Sequence, residues 1–176
     1  MECLRYWVTS YHVDGFRLIW PGILGRNEDG APMLNPPLLK RLAFDPILGD
    51  TKLIAEAWDA GGLYQVGSFP AFSHWAEWNG KYRDELRSFL KGDYWLAPQA
   101  VKRIAGSPDL YRSEKDYQGY NSSVNFITCH DGFTMWDLIP IMKSTIWITD
   151  GTIRTETTIT TGWNCGEEGT LTGRMS

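Results

Sequence analysis

The spacing of apolar side chains predicts helices and strands in the first sixty residues. One helix face, with positions three and four apart, is formed by Leu4, Trp7, Val8 and Tyr11. Segments 13–18 and 52–58 have the length and composition of buried strands. Between them, 22–37 is rich in Gly, Pro and Asn and predicts a loop. Pro37 can open a helix at its first position, and a stripe of leucines follows it.

The pattern continues with two further helices and one further strand. A long amphipathic helix ending at Gly92 is predicted from Trp75, Trp78, Tyr82, Leu86 and Phe89. A second helix covers about 98–105, and 123–129 has the pattern of a third strand. Strands that alternate with helices predict an α/β fold with a parallel sheet, either doubly wound or closed into a barrel.

Charged and polar residues lie at the carboxyl end of each predicted strand. They are Arg17, then Glu56 with Asp59, then His130 with Asp131. Barrels and doubly wound sheets both place their sites at that edge. No G-x-G-x-x-G or P-loop follows a strand, so nothing in the pattern favours a nucleotide-binding protein.

Composition and charge exclude several function classes. The 176 residues carry a net charge of -4, which argues against a nucleic-acid partner. We see no signal-peptide pattern and no stretch that could span a membrane, and we expect a cytoplasmic protein, or a plastid one in a plant or alga. The cysteines form no C-x-x-C pair and the histidines are scattered, so we expect neither a disulfide framework nor a metal site.

Aromatic residues make up 14% of the chain, with nine Trp, which indicates either a large aromatic core or a ring-lined cleft for sugars. Composition alone favours the aromatic core, but two carboxylates could serve a sugar cleft. Glu56 lies between two alanines, and an apolar setting raises a carboxyl pKa toward that of a general acid. Asp131, beside His130, has a more polar setting that keeps it ionised, and such a pair is typical of glycoside hydrolysis. Alternatively, both carboxylates cap helices and His130 is structural.

A resemblance to a known family favours the catalytic interpretation. V-D-G-F-R at 13–17, L-I-A-E-A-W-D at 53–59 and N-F-I-T-C-H-D-G-F-T at 125–134 resemble three signature segments of the α-amylase superfamily, glycoside hydrolase family 13. Further runs, G-G-L-Y-Q-V-G-S-F-P, W-A-E-W-N-G-K-Y-R-D and W-N-C-G-E-E-G, are similar to bacterial glycogen-debranching enzymes and plant isoamylases. The likeness covers nearly 1–140 and resumes at Trp163.

The resemblance implies a fold, a reaction and a set of site residues. The fold is a (β/α)₈ TIM barrel, here a partial one containing about strands 4 to 7, and the reaction is retaining hydrolysis of α-1,6-glucosidic branch points without a cofactor. The substrate is an α-glucan such as glycogen, starch or limit dextrin. By resemblance, Glu56 is the general acid/base, and Asp131 stabilises the oxocarbenium-like transition state. The remaining positions are His130 for sugar hydroxyls, Arg17 for positioning the nucleophile, and Trp58 and Tyr64 for substrate contact.

The chain departs from the family pattern at the nucleophile. Ile19 stands where the family has Asp, and an alkyl side chain cannot form a glycosyl-enzyme intermediate. Deleting one T from TTT-GAT-CTG-GCC, which encodes Phe-Asp-Leu-Ala, gives the Leu-Ile-Trp-Pro found at 18–21. Our hypothesis is a compensated frameshift, which resequencing of the gene would test.

The segment 141–162 also departs from the family pattern, and we interpret it as a second compensated frameshift. We assign 1–140 to the catalytic barrel fragment, 141–162 to an aberrant, frameshifted segment, and 163–176 to the resumed barrel fragment. Three functions stay open: a fragment of a debranching hydrolase that is inactive as written, a non-catalytic α-glucan-binding pseudoenzyme, and a structural role. The missing nucleophile is the feature that keeps the second and third open.

Overall fold

The computed structural model describes residues 1–59, 62–72, 74–111, 122–130 and 134–135. The chain divides into two compact units, one of Met1–Gly80 with Ile104–Asn125 and one of Lys81–Arg103 with Phe126–Ser176. The segments 141–162 and 163–176, for which the sequence predicts a frameshift and a resumed barrel, lie outside the described residues.

The described residues contain five α-helices and four strands. The helices are α1 (Glu2–Tyr11), α2 (Pro37–Ala43), α3 (Gly80–Lys91), α4 (Ala97–Ile104) and α5 (Pro108–Tyr111), with 3₁₀ turns at Pro21–Gly25 and Phe69–Phe72. The strands are β1 (Gly15–Leu18), β2 (Lys52–Ala55), β3 (Trp75–Trp78) and β4 (Ser123–Val124). Among these described elements, a 3₁₀ turn and no α-helix lies between β2 and β3, and three helices lie between β3 and β4. The predicted helices at 1–11, from Pro37 and at 98–105 are therefore confirmed to within a residue or two at their starts.

The four strands form one parallel sheet in chain order, β1-β2-β3-β4. The α/β class and the parallel sheet are thus confirmed. A doubly wound sheet reverses its strand order at a switch point, and the described strands show no such reversal. Parallel neighbours place all their carboxyl ends at one edge, and that edge carries the candidate site.

An apolar core lies on one side of β2 and β3. Trp75, almost fully buried, packs its ring edge-on against Phe69 at 5.7 Å between centroids. Its indole N–H donates to the Leu39 carbonyl at 3.1 Å, so the polar atom of this large side chain is satisfied. The other buried members of this cluster are Leu42, Ala43, Leu48, Leu53, Ala55 and Ala57.

The sequence prediction for Trp75 and Trp78 is wrong, because neither tryptophan belongs to the long helix. They begin and end β3, and the helix starts only at Gly80. Along β3 the exposure alternates, with Trp75 and Glu77 buried and Ala76 and Trp78 half-buried. Because the second inward residue is a glutamate, the alternation is hidden in the sequence and the three-residue spacing of the tryptophans imitates a helix. Gly92, which ends the helix, has the positive φ of 92° expected of a helix terminator.

All three predicted strands are shorter than expected. The strand predicted at 13–18 begins only at Gly15, and its residues are half-buried and not buried as predicted. The other two end early, and a ladder can be no longer than its partner strand. β4 was predicted over 123–129 but pairs only at Ser123 and Val124, since β3 ends at Trp78. His130 therefore does not directly follow a strand. The strand predicted at 52–58 ends at Ala55, and Trp58 instead forms an antiparallel bridge with Tyr64.

An ion pair fixes α1 to the segment that enters β2. Arg5 Nε donates to Asp45 Oδ2 at 3.0 Å, and Asp45 Oδ1 accepts the backbone N–H groups of Ile47 and Leu48 at 3.0 and 3.2 Å. The Arg5 guanidinium, helped by these amides, holds the pKa of Asp45 at about 2, below its ordinary value of 3.8.

This ion pair predicts an acid-dependent loss of stability. Because the folded-state pKa of Asp45 is depressed, the ionised carboxylate adds to the free energy of unfolding above pH 3.8. This stabilisation is lost as pH falls toward about 2. Urea unfolding followed by circular dichroism between pH 2 and 6 should show a smaller decline in the free energy of unfolding for Asp45→Asn than for the unmodified chain. Parallel declines in the two proteins would contradict the assignment.

Candidate active site

Two sequence-predicted positions lie side by side at the carboxyl edge of the sheet. Ile19 and Glu56 each come directly after the register pair Leu18–Ala55, and the Glu56 backbone N–H donates to the Leu18 carbonyl at 3.0 Å. Glu56 is only 1% exposed, whereas Ile19 is 61% exposed. The position that the family resemblance gives to a nucleophile therefore adjoins the one that it gives to the acid/base, and the side chain at 19 is open to solvent.

Arg17 joins three adjacent strands at this edge. Its Nη1 donates to Glu56 Oε2, and its guanidinium lies 4.2 Å from the centroid of the Trp78 ring. An arginine over an indole face gains a cation–π attraction in addition to the ion pair. Sequence reasoning gave Arg17 a role toward position 19, but its partners here are Glu56 and Trp78. The surroundings of Glu56 are thus apolar on the side of its two alanine neighbours and cationic at the carboxylate.

Trp58 and Tyr64 form an aromatic pair two residues beyond Glu56. Their rings are stacked, 6.3 Å apart between centroids with 16° between planes, and the bridge between their backbones holds the two residues opposite each other. Trp58 is buried and Tyr64 is 47% exposed. A Cβ at Gly80 would lie 2.9 Å from Tyr64 Oη and 3.2 Å from Trp58 Cζ3, so a side chain at position 80 would displace the pair. The structure therefore brings together both residues for which we predict substrate contact.

Sequence reasoning missed Glu77, a fully buried carboxylate on β3. Its Oε1 accepts the Phe69 N–H at 2.7 Å, and its Oε2 accepts the Gly67 N–H at 2.6 Å and the Tyr111 hydroxyl at 3.1 Å. Burial raises the pKa of Glu77, and the two amides oppose that shift. Burial also raises the pKa of Tyr111, and the neighbouring Glu77 adds to it. No sequence pattern separates this glutamate from one on the exposed face of a helix.

The remaining predicted site residues belong to the second unit. His130 is exposed, and Asp131 lies outside the described residues, so the pairing of Asp131 with Glu56 stays a prediction. The segment before His130 is attached to α3, because Arg87 Nε donates to the Ile127 carbonyl at 2.7 Å. Arg83 also lies 5.7 Å from the centroid of the Phe126 ring.

Within the part of the chain that the structure describes, no group of three or more His, Cys, Asp or Glu side chains could hold a metal ion. Among the same residues, no helix has the length and hydrophobicity to cross a membrane.

Comparison with known proteins identifies the relatives of this chain. No protein-family model matches it. Isoamylase 1, chloroplastic, from Oryza sativa subsp. japonica is 43% identical over 192 residues, covering 98% of this chain and 24% of that protein. Isoamylase 3, chloroplastic, from the same plant is 50% identical over 141 residues, covering 79% of this chain and 18% of that protein.

Bacterial relatives match to a similar degree. The glycogen operon protein GlgX homolog of Mycobacterium tuberculosis is 40% identical over 170 residues, covering 96% of this chain. The glycogen debranching enzyme of Serratia proteamaculans is 46% identical over 145 residues, covering 81%. The chain spans about a quarter or less of the length of these curated relatives.

Proposed function

We propose, on the premise that this chain is a homologue of the isoamylase-type debranching enzymes, that it is a segment of a glycoside hydrolase for α-1,6-glucosidic branch points of glycogen or starch. One observation carries the proposal: the buried Glu56 adjoins position 19 at the carboxyl edge of a parallel sheet, with Arg17 against it. Retaining glycosidases need two carboxyl groups only about 5–5.5 Å apart, and adjacent strand ends supply such a separation. The four parallel strands in chain order fit strands 4 to 7 of a (β/α)₈ barrel.

The proposed mechanism is a double displacement. A carboxylate at position 19 attacks the anomeric carbon while Glu56 donates its proton to the glycosidic oxygen of the leaving chain. Glu56 then takes a proton from the water that hydrolyses the glycosyl-enzyme. Asp131 and His130 hold sugar hydroxyls, and Asp131 stabilises the oxocarbenium-like transition state. With Ile19 in place the first step has no nucleophile, so the chain as written does not turn over.

A second candidate is a non-catalytic α-glucan-binding protein. It is favoured by the alkyl side chain at position 19 together with the intact aromatic pair of Trp58 and Tyr64. Both candidates take the same ligand, glycogen, starch or limit dextrin, at the same edge of the sheet. Four plant relatives are named as chloroplastic, which fits a plastid protein if this chain comes from a plant.

Glucan binding tests what the two candidates share. Titration of the chain with a branched maltooligosaccharide, followed by calorimetry, should show an affinity that falls about tenfold in Trp58→Ala, since ~1.4 kcal/mol is a tenfold change. Tyr64→Phe should keep the affinity, because the ring and not the hydroxyl stacks on the sugar. Trp95→Ala controls for the loss of an indole elsewhere in the chain, since Trp95 is 89% exposed on the second unit, and circular dichroism establishes that Trp58→Ala, which removes a buried indole, is folded. Undiminished binding by Trp58→Ala, or an equal loss in Trp95→Ala, would contradict this site.

A further inference from the structure

Asp59 closes the turn that carries the aromatic pair. Its backbone N–H donates to the Leu63 carbonyl at 3.0 Å, and its Oδ1 accepts the Leu63 N–H at 3.1 Å. Trp58 and Tyr64 are the residues immediately outside this closed pair. The carboxylate of Asp59 therefore helps to set the distance and orientation at which the two rings face each other.

Arg26 ties this turn to the loop that follows β1. Its Nη2 donates to Asp59 Oδ2 at 2.6 Å, and its Nη1 donates to the Gly30 carbonyl at 2.6 Å. Position 26 is itself held by a bridge to Pro32. One guanidinium thus connects two loops that leave neighbouring strands, because its two terminal nitrogens reach one acceptor in each loop.

The ion pair is shielded from solvent. The Asp59 side chain is 6% exposed and the Arg26 side chain 26%. A shielded carboxylate that loses its cation must find water or another partner, and the surrounding backbone shifts to provide one. While the ion pair is intact, both carboxylate oxygens of Asp59 are hydrogen-bonded, and the backbone of the turn has little freedom to shift.

We infer that the Arg26–Asp59 ion pair is a positioning device that presents the exposed ring of Tyr64, stacked on the buried Trp58, to an α-glucan. Stacking on a glucose ring requires the aromatic faces to be oriented before the sugar arrives, because ordering them on binding costs affinity. Neither residue of the pair needs to touch the sugar. This inference rests on the proposed function, since it assumes that the ligand is a glucan at the aromatic pair.

The chain contains a matched control in the Arg5–Asp45 ion pair. In that pair the side chains are 31% and 2% exposed, close to the values for Arg26 and Asp59. Asp45 also accepts two amides of its own turn, as Asp59 accepts one. The difference is position: Asp45 lies on the segment that enters β2, and Asp59 on the segment that leaves it.

The test compares Arg26→Met, Arg26→Lys and Arg5→Met in the full chain, with a branched maltooligosaccharide as the probe. We expect Arg26→Met to weaken binding about tenfold, or ~1.4 kcal/mol. We expect Arg26→Lys, which keeps a cation against Asp59, to weaken binding no more than about threefold, or ~0.7 kcal/mol. Arg5→Met should lower the melting temperature but leave the affinity unchanged at temperatures where the chain is folded. Unchanged affinity in Arg26→Met, or an equal loss in Arg5→Met, overturns the inference.

A second readout separates this inference from the proposed function. Hydrogen exchange of the Leu63 amide and the near-ultraviolet circular dichroism of the stacked rings need no ligand. Arg26→Met should accelerate that exchange and alter that signal, while Arg5→Met should change neither. If the unmodified chain binds no glucan, the proposed function fails and the ligand named in the inference fails with it. Unaltered Leu63 exchange in Arg26→Met would overturn the positioning device itself, even if the chain binds glucan.

Discussion

Replacing Ile19 by aspartate is expected to switch on hydrolysis of α-1,6 bonds, by at least about 10⁴-fold, in a chimera of this chain with a full-length relative. In the chimera, residues 1–140 replace the matching segment of isoamylase 3 from Oryza sativa subsp. japonica, which is 50% identical over 141 residues. The parent chimera lacks a nucleophile, so its first chemical step has no covalent route. The new carboxylate would adjoin Glu56 in register, with the cation of Arg17 already at this edge of the sheet.

Two controls make the hydrolysis result specific. Ile19→Asn has nearly the size and shape of the aspartate variant but supplies no nucleophile, and it should stay inactive. Combining Ile19→Asp with Glu56→Gln removes the acid/base and should abolish the gain. Circular dichroism establishes which chimeras are folded. A folded Ile19→Asp chimera without activity, or a parent chimera that hydrolyses branch points, would show that position 19 is not the nucleophile position.

Local spacing predicts the helices well and the strands less well. The limits of α1 follow from its apolar stripe, and the start of α2 follows from Pro37, because both signals are contained in the helix itself. Strand limits depend on the partner strand. β4 has two paired residues because β3 ends opposite them, and no feature of 123–129 encodes that limit.

In the candidate site, too, the sequence predicts the position of a residue better than its contacts with distant residues. The sequence predicts Glu56 near a strand end, because a strand-length apolar segment contains it and its flanking residues resemble a signature segment, and in the structure Glu56 directly follows β2. The contacts of Arg17 with Glu56 and of Arg26 with Asp59 join residues 39 and 33 positions apart. Such pairs depend on the register of neighbouring strands and on loop geometry, which a single sequence does not display.

Glu77→Leu is expected to lower the free energy of unfolding by about 3–5 kcal/mol, because three buried donors lose their acceptor and each unsatisfied group costs about 1–3 kcal/mol. The substitution leaves the N–H groups of Gly67 and Phe69 and the Tyr111 hydroxyl without their acceptor in a buried site. Glu77→Gln keeps one oxygen and should cost less, about 1–3 kcal/mol. Tyr111→Phe removes one donor and should cost about 1 kcal/mol. Urea unfolding at pH 7, followed by circular dichroism, measures all three.

The pH dependence distinguishes a buried carboxylate from a merely well-packed side chain. Burial raises the folded-state pKa of Glu77 above its ordinary value of 4.5, so the folded chain binds the proton more tightly than the unfolded chain does. The contribution of this proton to the free energy of unfolding is fully present below pH 4.5 and is lost as pH rises through the folded-state pKa of Glu77. Glu77→Gln has no proton to lose, so its free energy of unfolding should decline less over that interval. An identical decline in the two proteins would mean that Glu77 does not titrate differently on folding, and equal stabilities at pH 7 would mean that its three donors find other acceptors.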